Sequence, residues 1–77
     1  MNKKARSYPR IRGRIIELYG SQENFANVIG KSKTSVSQKL NGSSGFSYND
    51  IVLWAKALKI SVDDIGIYFF NDELAVV

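Results

Sequence analysis

Glycines and serines punctuate this chain at short intervals, and they cut its helical patterning into segments too brief to form anything but a bundle of short helices. Pro9 suits the first turn of a helix, where a missing N–H costs nothing. From there Ile11, Ile15, Leu18 and Tyr19 recur at helical spacing within an arc of about 100°, with Arg10, Arg14 and Glu17 on the opposite side and Gly13 on the outer face. Gly20 offers a stop and Ser21 an N-cap. A second helix over 22–29 turns Phe25, Ala26 and Ile29 inward and ends at Gly30. Ser32 then caps a third helix over 33–40, with Val36 and Leu40 inward. Residues 41–45 read as a loop.

After that loop, Ser47 and Asp50 have capping-box spacing, with Asp in place of the usual Glu. They open a fourth helix that buries Ile51, Trp54, Ala55 and Leu58. Ser61-Val62-Asp63-Asp64 repeats the signal before a short fifth helix around Ile65. The apolar run 67–70 leaves helix and extended chain both open. The expected fold is all-α, a compact bundle of about five short helices. Residues 1–8 read as a basic arm, 9–70 as the domain and 71–77 as a tail.

A chain of 77 residues has room for one small domain, and 44% apolar residues suffice for a core. It contains neither cysteine nor histidine, which removes zinc fingers, thiol chemistry, disulfides and the usual general base. No apolar run approaches the roughly 20 residues of a membrane span, and no apolar stretch follows the basic start as in a secretory signal, so a cytoplasmic protein is expected. The net charge of +4 is unevenly distributed. Residues 1–40 carry nine basic groups against Glu17 and Glu23, a net of +7, whereas residues 41–77 carry Lys56 and Lys59 against five acids, a net of −3. One strongly basic half suggests a surface that meets a polyanion.

Function concentrates in residues 22–40, a helix, a glycine turn and a second helix. Small Ala26 suits a close helix approach, Gly30 the chain reversal, and Val36 the packing of the second helix on the first. This is the pattern of a helix-turn-helix, whose second helix can enter a major groove about 12 Å wide. Lys33, Thr34, Ser37 and Gln38 occupy its outward side, with Lys39 and Asn41 at the far end, and no acid occurs between Asn24 and Tyr48. A merely solvated helix face would normally mix in Glu or Asp. An ordinary α-hairpin in a small bundle is the plainer alternative.

The segments "SQENFANVIGKSKTSVSQKLNG" and "FSYNDIVLWAKALKISVDDI" resemble the Cro and CI-repressor (XRE-type) helix-turn-helix family of temperate phages and bacteria, over about fifty of the 77 residues. The opening "RSYPRIRGRIIELYGS" is similar, more narrowly, to small phage Cro or modulator-of-repression proteins from Gram-positive hosts. The resemblance implies a lambda-repressor-like DNA-binding domain and assigns roles by position. Lys33 and Thr34 would face the groove, and Ser37 and Gln38 would complete base readout. Gln22 would bond a phosphate and brace the recognition helix. Asn41, Lys31 and Lys39 would add phosphate contacts, as would Lys3, Lys4 and Arg6 of the arm. Two positions depart from the family pattern: Lys39 stands where an apolar residue is usual, and Val28 where a polar surface residue is usual, which hints at a protein contact.

Other signals carry less. Gly30-Lys31-Ser32 imitates the end of a phosphate-binding loop, but Phe25 replaces the glycine five residues before Gly30 and no strand precedes it. Asn41-Gly42-Ser43 matches a glycosylation acceptor that would have no secretory route. Tyr19, Phe25 and Trp54 fall at inward positions, as core residues do, rather than as a stacking platform for single strands. Without histidine or a paired acid and base, an enzyme is not expected, and no metal or cofactor is implied.

The leading expectation is therefore a Cro-type repressor that binds double-stranded operator DNA as a homodimer. The alternative is a phage modulator or antirepressor that binds the partner CI-type repressor protein. In the alternative, exposed apolar residues such as Val28, Val52, Val62 and Ile67 would form the useful surface. Phe69 and Phe70 would either close the domain or make a two-fold contact.

Overall fold

Three of the helices start where the sequence supplies a serine cap. The computed structural model describes residues 8–70, which form α1 (Pro9–Tyr19), α2 (Gln22–Ile29), α3 (Lys33–Leu40), α4 (Tyr48–Leu58), a 3-10 turn (Val62–Asp64) and α5 (Ile65–Phe69). No strand occurs among the described residues, so the chain is all-α as expected, with five α-helices. Pro9 sits in the first turn of α1. Ser21 Oγ accepts from the Asn24 N–H, and Ser32 Oγ from the Ser35 N–H. Ser47 and Asp50 make the reciprocal box, Ser47 N–H to Asp50 Oδ2 at 2.9 Å and Asp50 N–H to Ser47 Oγ at 3.1 Å. Each such cap satisfies amides that have no partner inside their own helix.

The core forms where the inward stripes meet. Ile11 and Ile15 of α1, Phe25 and Ala26 of α2, Val36 and Leu40 of α3, and Trp54 and Leu58 of α4 are all at least 99% buried. A chain of ring contacts runs through it, from Tyr19 to Phe25 (5.5 Å), to Trp54 (4.8 Å) and to Phe46 (4.9 Å). Phe46 also meets Tyr8 and Phe69, each at 5.2 Å and edge-on. Edge-to-face pairs of this kind contribute about 0.5–1.5 kcal/mol each beyond the burial of their area.

Two arginines of α1 close other helices. Arg14 donates from Nε to the Leu58 carbonyl (2.8 Å) and from Nη2 to the Lys59 carbonyl (3.2 Å), at the C-terminus of α4. Arg12 donates from Nη2 to the Leu40 carbonyl and to Asn41 Oδ1, both at 3.1 Å, at the end of α3. A cation at a helix C-terminus meets both unsatisfied carbonyls and the negative end of the dipole.

Several expectations change in detail. Tyr8, expected in the arm, is buried, and its left-handed backbone (φ 50°) lets its ring reach Phe46. Leu18 is partly exposed, because the last turn of α1 is held on the Tyr19 side, where the Tyr19 hydroxyl donates to the Ala57 carbonyl. Arg14 is half-buried against α4 rather than outward. Ser61 makes no side-chain cap, and a 3-10 turn follows it before α5 begins. The run 67–70 is helical through Phe69.

Candidate functional site

Two surfaces compete for a functional role, and one is the outer side of α3. Gly30, left-handed at φ 73°, ends α2, and two residues later Ser32 starts α3. Lys31, Lys33, Thr34 and Gln38 are exposed, and their side chains make no hydrogen bond or ion pair among the described residues. Gln22 Oε1 accepts from Ser37 Oγ at 3.2 Å, which braces the middle of α3 rather than its start. That bond engages Ser37, which is half-buried, so Ser37 acts as a strut between α2 and α3 rather than standing free as a reader of base edges. Asn41 is exposed, with Oδ1 taken by Arg12. Lys3, Lys4 and Arg6 lie outside the described residues, as does the tail 71–77.

Lys39 corrects the expected phosphate set. Its ammonium lies 2.9 Å from Asp50 Oδ2, donates to the Gly45 carbonyl at 3.0 Å and to Ser44 Oγ at 3.4 Å, and sits 5.8 Å from the centre of the Phe46 ring. Its side chain is only 16% exposed. This charge thus ties the end of α3 to the start of α4. The Ser47 N–H, donated to Asp50, holds that carboxyl below the usual carboxylate range, and Lys39 adds to the effect while partial burial opposes it.

The second surface is an apolar groove of about 580 Å³ between α4 and the C-terminal turns. Ala55 and Ile60, both buried, lie at its base, and Tyr48, Val52, Val62 and Phe70 reach solvent along it. Among the described residues, Lys56 is its single charged lining residue. Tyr48, Val52 and Lys56 fall at successive i+4 positions, which puts them in one row along α4 beside the inward Ile51 and Ala55.

Of the apolar residues expected at an interface, Val52, Val62 and Phe70 meet in this groove. Val28 and Ile67 are exposed but outside it. Phe69 leaves the candidate interface and takes the other role left open for it, closing the domain: it is only 4% exposed, packs on Phe46 and belongs to the core. Tyr48, 80% exposed, was not expected here, because in the sequence it reads only as a position within the capping box. Its spacing to Val52 was the available signal.

Residues 5–72 match the family described as "Protein of unknown function (DUF739)". The chain is also similar to a solved protein, the modulator of repression (MOR) of the temperate bacteriophage TP901-1 from Lactococcus lactis, known from its solution structure. The two are 36% identical and superpose with a TM-score of 0.77, over 87% of this chain and 90% of that one. No curated protein matches the chain.

Proposed function

Since the chain belongs to the DUF739 family, we propose that it is a phage regulator that modulates repression by binding a CI-type repressor protein. The observation that carries this reading is the likeness to a phage modulator of repression at 36% identity over nearly the whole of both chains. The inward turn of Lys39, Arg12 and Arg14 agrees with it, since these cations are engaged by carbonyls and a carboxylate of the protein itself. On this reading the protein works in the host cytoplasm, performs no catalysis and needs no cofactor. The absence of histidine and cysteine throughout the chain supports a binding role.

Direct operator binding is the second reading, and one observation favours it: the exposed face of Lys33, Thr34 and Gln38 on α3, with no acid from Asn24 to Tyr48. On that reading the protein alone would retard its operator, and Gln38→Ala would cost about 1–3 kcal/mol on the true site while sparing random DNA. A mobility-shift titration separates the two readings. The proposed modulator, alone, leaves operator fragments unshifted or binds them no better than random duplex, and with the repressor it changes the repressor's own shift. A sequence-specific shift by the protein alone, indifferent to added repressor, would establish the second reading in place of the first.

A further inference from the structure

Half of the large apolar residues that stand exposed among the described residues, Tyr48, Val52, Val62 and Phe70 out of eight, line one groove. Monomeric proteins rarely leave contiguous apolar surface uncovered, and such surface marks interaction sites. The outer side of α3, by contrast, presents lysines, a threonine and an amide, a composition unlike the charge-depleted centre of protein interfaces. Building on the proposed function, we infer that the groove between α4 and the C-terminal turns is where the repressor docks. Its occupant is an amphipathic helix of the repressor whose apolar side carries a carboxylate placed to meet Lys56.

The form of the occupant follows from the groove. Its walls are helices and it borders no sheet edge among the described residues, so it cannot take an added strand, whereas a helix can lay side chains at i, i+3, i+4 and i+7 along it. Buried Ala55 gives the α4 wall a small residue against which a side chain can seat, between the larger Ile51 and Ile60. Tyr48, at the start of the row, offers the kind of aromatic anchor that dominates binding energy at interfaces.

Charge identifies the partner's chemistry. Lys56 is exposed and makes no ion pair or side-chain hydrogen bond among the described residues, and no carboxylate lines the groove with it. Two copies packed groove to groove would bring Lys56 toward Lys56 with no carboxylate among the described lining residues to offset them. A foreign helix carrying Asp or Glu meets the same lysine favourably. Like-charge repulsion against the wrong partner and attraction to the right one are the two halves of specificity.

The test uses the whole chain and the purified CI-type repressor encoded nearest to its gene, with affinity measured by calorimetry. Val62→Asp and Val52→Asp should each weaken binding by about tenfold or more. Lys56→Glu should weaken it and reverse the sign of its salt dependence, whereas Lys33→Ala and Gln38→Ala should leave it within about twofold. Val62 is 87% exposed and Lys56 is exposed, so these two variants keep the test valid even if Val52→Asp, on a helix, fails to fold. Groove variants that are folded by circular dichroism and bind as wild type would overturn the docking site and leave the modulator reading intact. Wild-type protein that does not bind the repressor at all would overturn both. Sedimentation showing a wild-type dimer that Val62→Asp dissociates would overturn the inference in favour of a second copy.

Discussion

Lys39 is the residue whose role depends most on the fold. By sequence position it belongs to a basic helix end next to a polyanion, yet its ammonium reaches Asp50, the residue that also caps α4. One carboxylate therefore closes a helix and fixes a neighbouring helix against it. The carboxyl titrates below its ordinary value in the folded chain, so the stabilisation is complete above the unfolded-state value, near pH 3.9, and is lost as the pH falls through the lower folded value. Asp50→Ala removes the box and leaves Lys39 without its carboxylate, and should cost about 1–3 kcal/mol at pH 7. Asp50→Asn should narrow the gap to wild type below about pH 4, since the wild-type carboxyl is then protonated too. Urea midpoints measured from pH 7 to pH 3 check both. A gap between Asp50→Asn and wild type that widened in acid would show that this carboxylate does not carry the effect.

At the scale of elements, α2 and α4 end in the same backbone conformation on different residues. Gly30 closes α2 at φ 73° and Lys59 closes α4 at φ 57°, both left-handed, but only glycine, which has no Cβ to crowd, holds that conformation without strain. Gly30→Ala should therefore destabilise by about 1 kcal/mol although a Cβ there would meet open space, and Lys59→Gly should stabilise by a similar amount. Thermal denaturation of the two variants reads the opposite signs directly. Equal shifts in one direction would mean that the backbone angle is not what limits these ends. Arg14, bonded to the Leu58 and Lys59 carbonyls, compensates for the missing glycine at the end of α4. This contrast shows where the sequence is legible. Serine caps, glycine stops and the 3.6-residue period act within one or two turns, so the helix bounds at Gln22, Lys33 and Tyr48 can be read from neighbouring residues. Arg14 finds carbonyls 44 and 45 positions away, Phe46 gathers rings from both ends of the described chain, and Phe69 folds back onto it. Nothing in their local sequence encodes those meetings, which is why Phe46 falls in no expected element and Phe69 is left open between closing the domain and a two-fold contact. The candidate surface divides the same way: Val52 and Val62 can be picked out singly from the sequence, but the groove that joins them exists only once the 3-10 turn lies beside α4.

For the whole molecule, the question is how much of the basic first half is available to a polyanion. Arg12 and Arg14 sit on helix C-termini and Lys39 on Asp50, so the fold turns three cations of that half toward the protein itself. Among the described residues, Arg10 on α1 and Lys31 and Lys33 beside the start of α3 remain exposed. A cation that neutralises a duplex phosphate releases counterions, and each such contact contributes about 0.9 to the slope of log affinity against log salt. Residual binding to random duplex, followed by fluorescence anisotropy across a salt series, should lose about that much slope for Lys31→Ala and for Lys33→Ala. Lys39→Met, which keeps the length and packing of the stem while removing the charge, should leave the slope unchanged and instead lower the urea midpoint, because Asp50 loses its partner. If Lys39→Met flattened the salt response as much as Lys33→Ala while the midpoint stayed at the wild-type value, the inward lysine would belong to the polyanion surface, and direct duplex binding would regain the cation that the proposed modulator role leaves inside the fold.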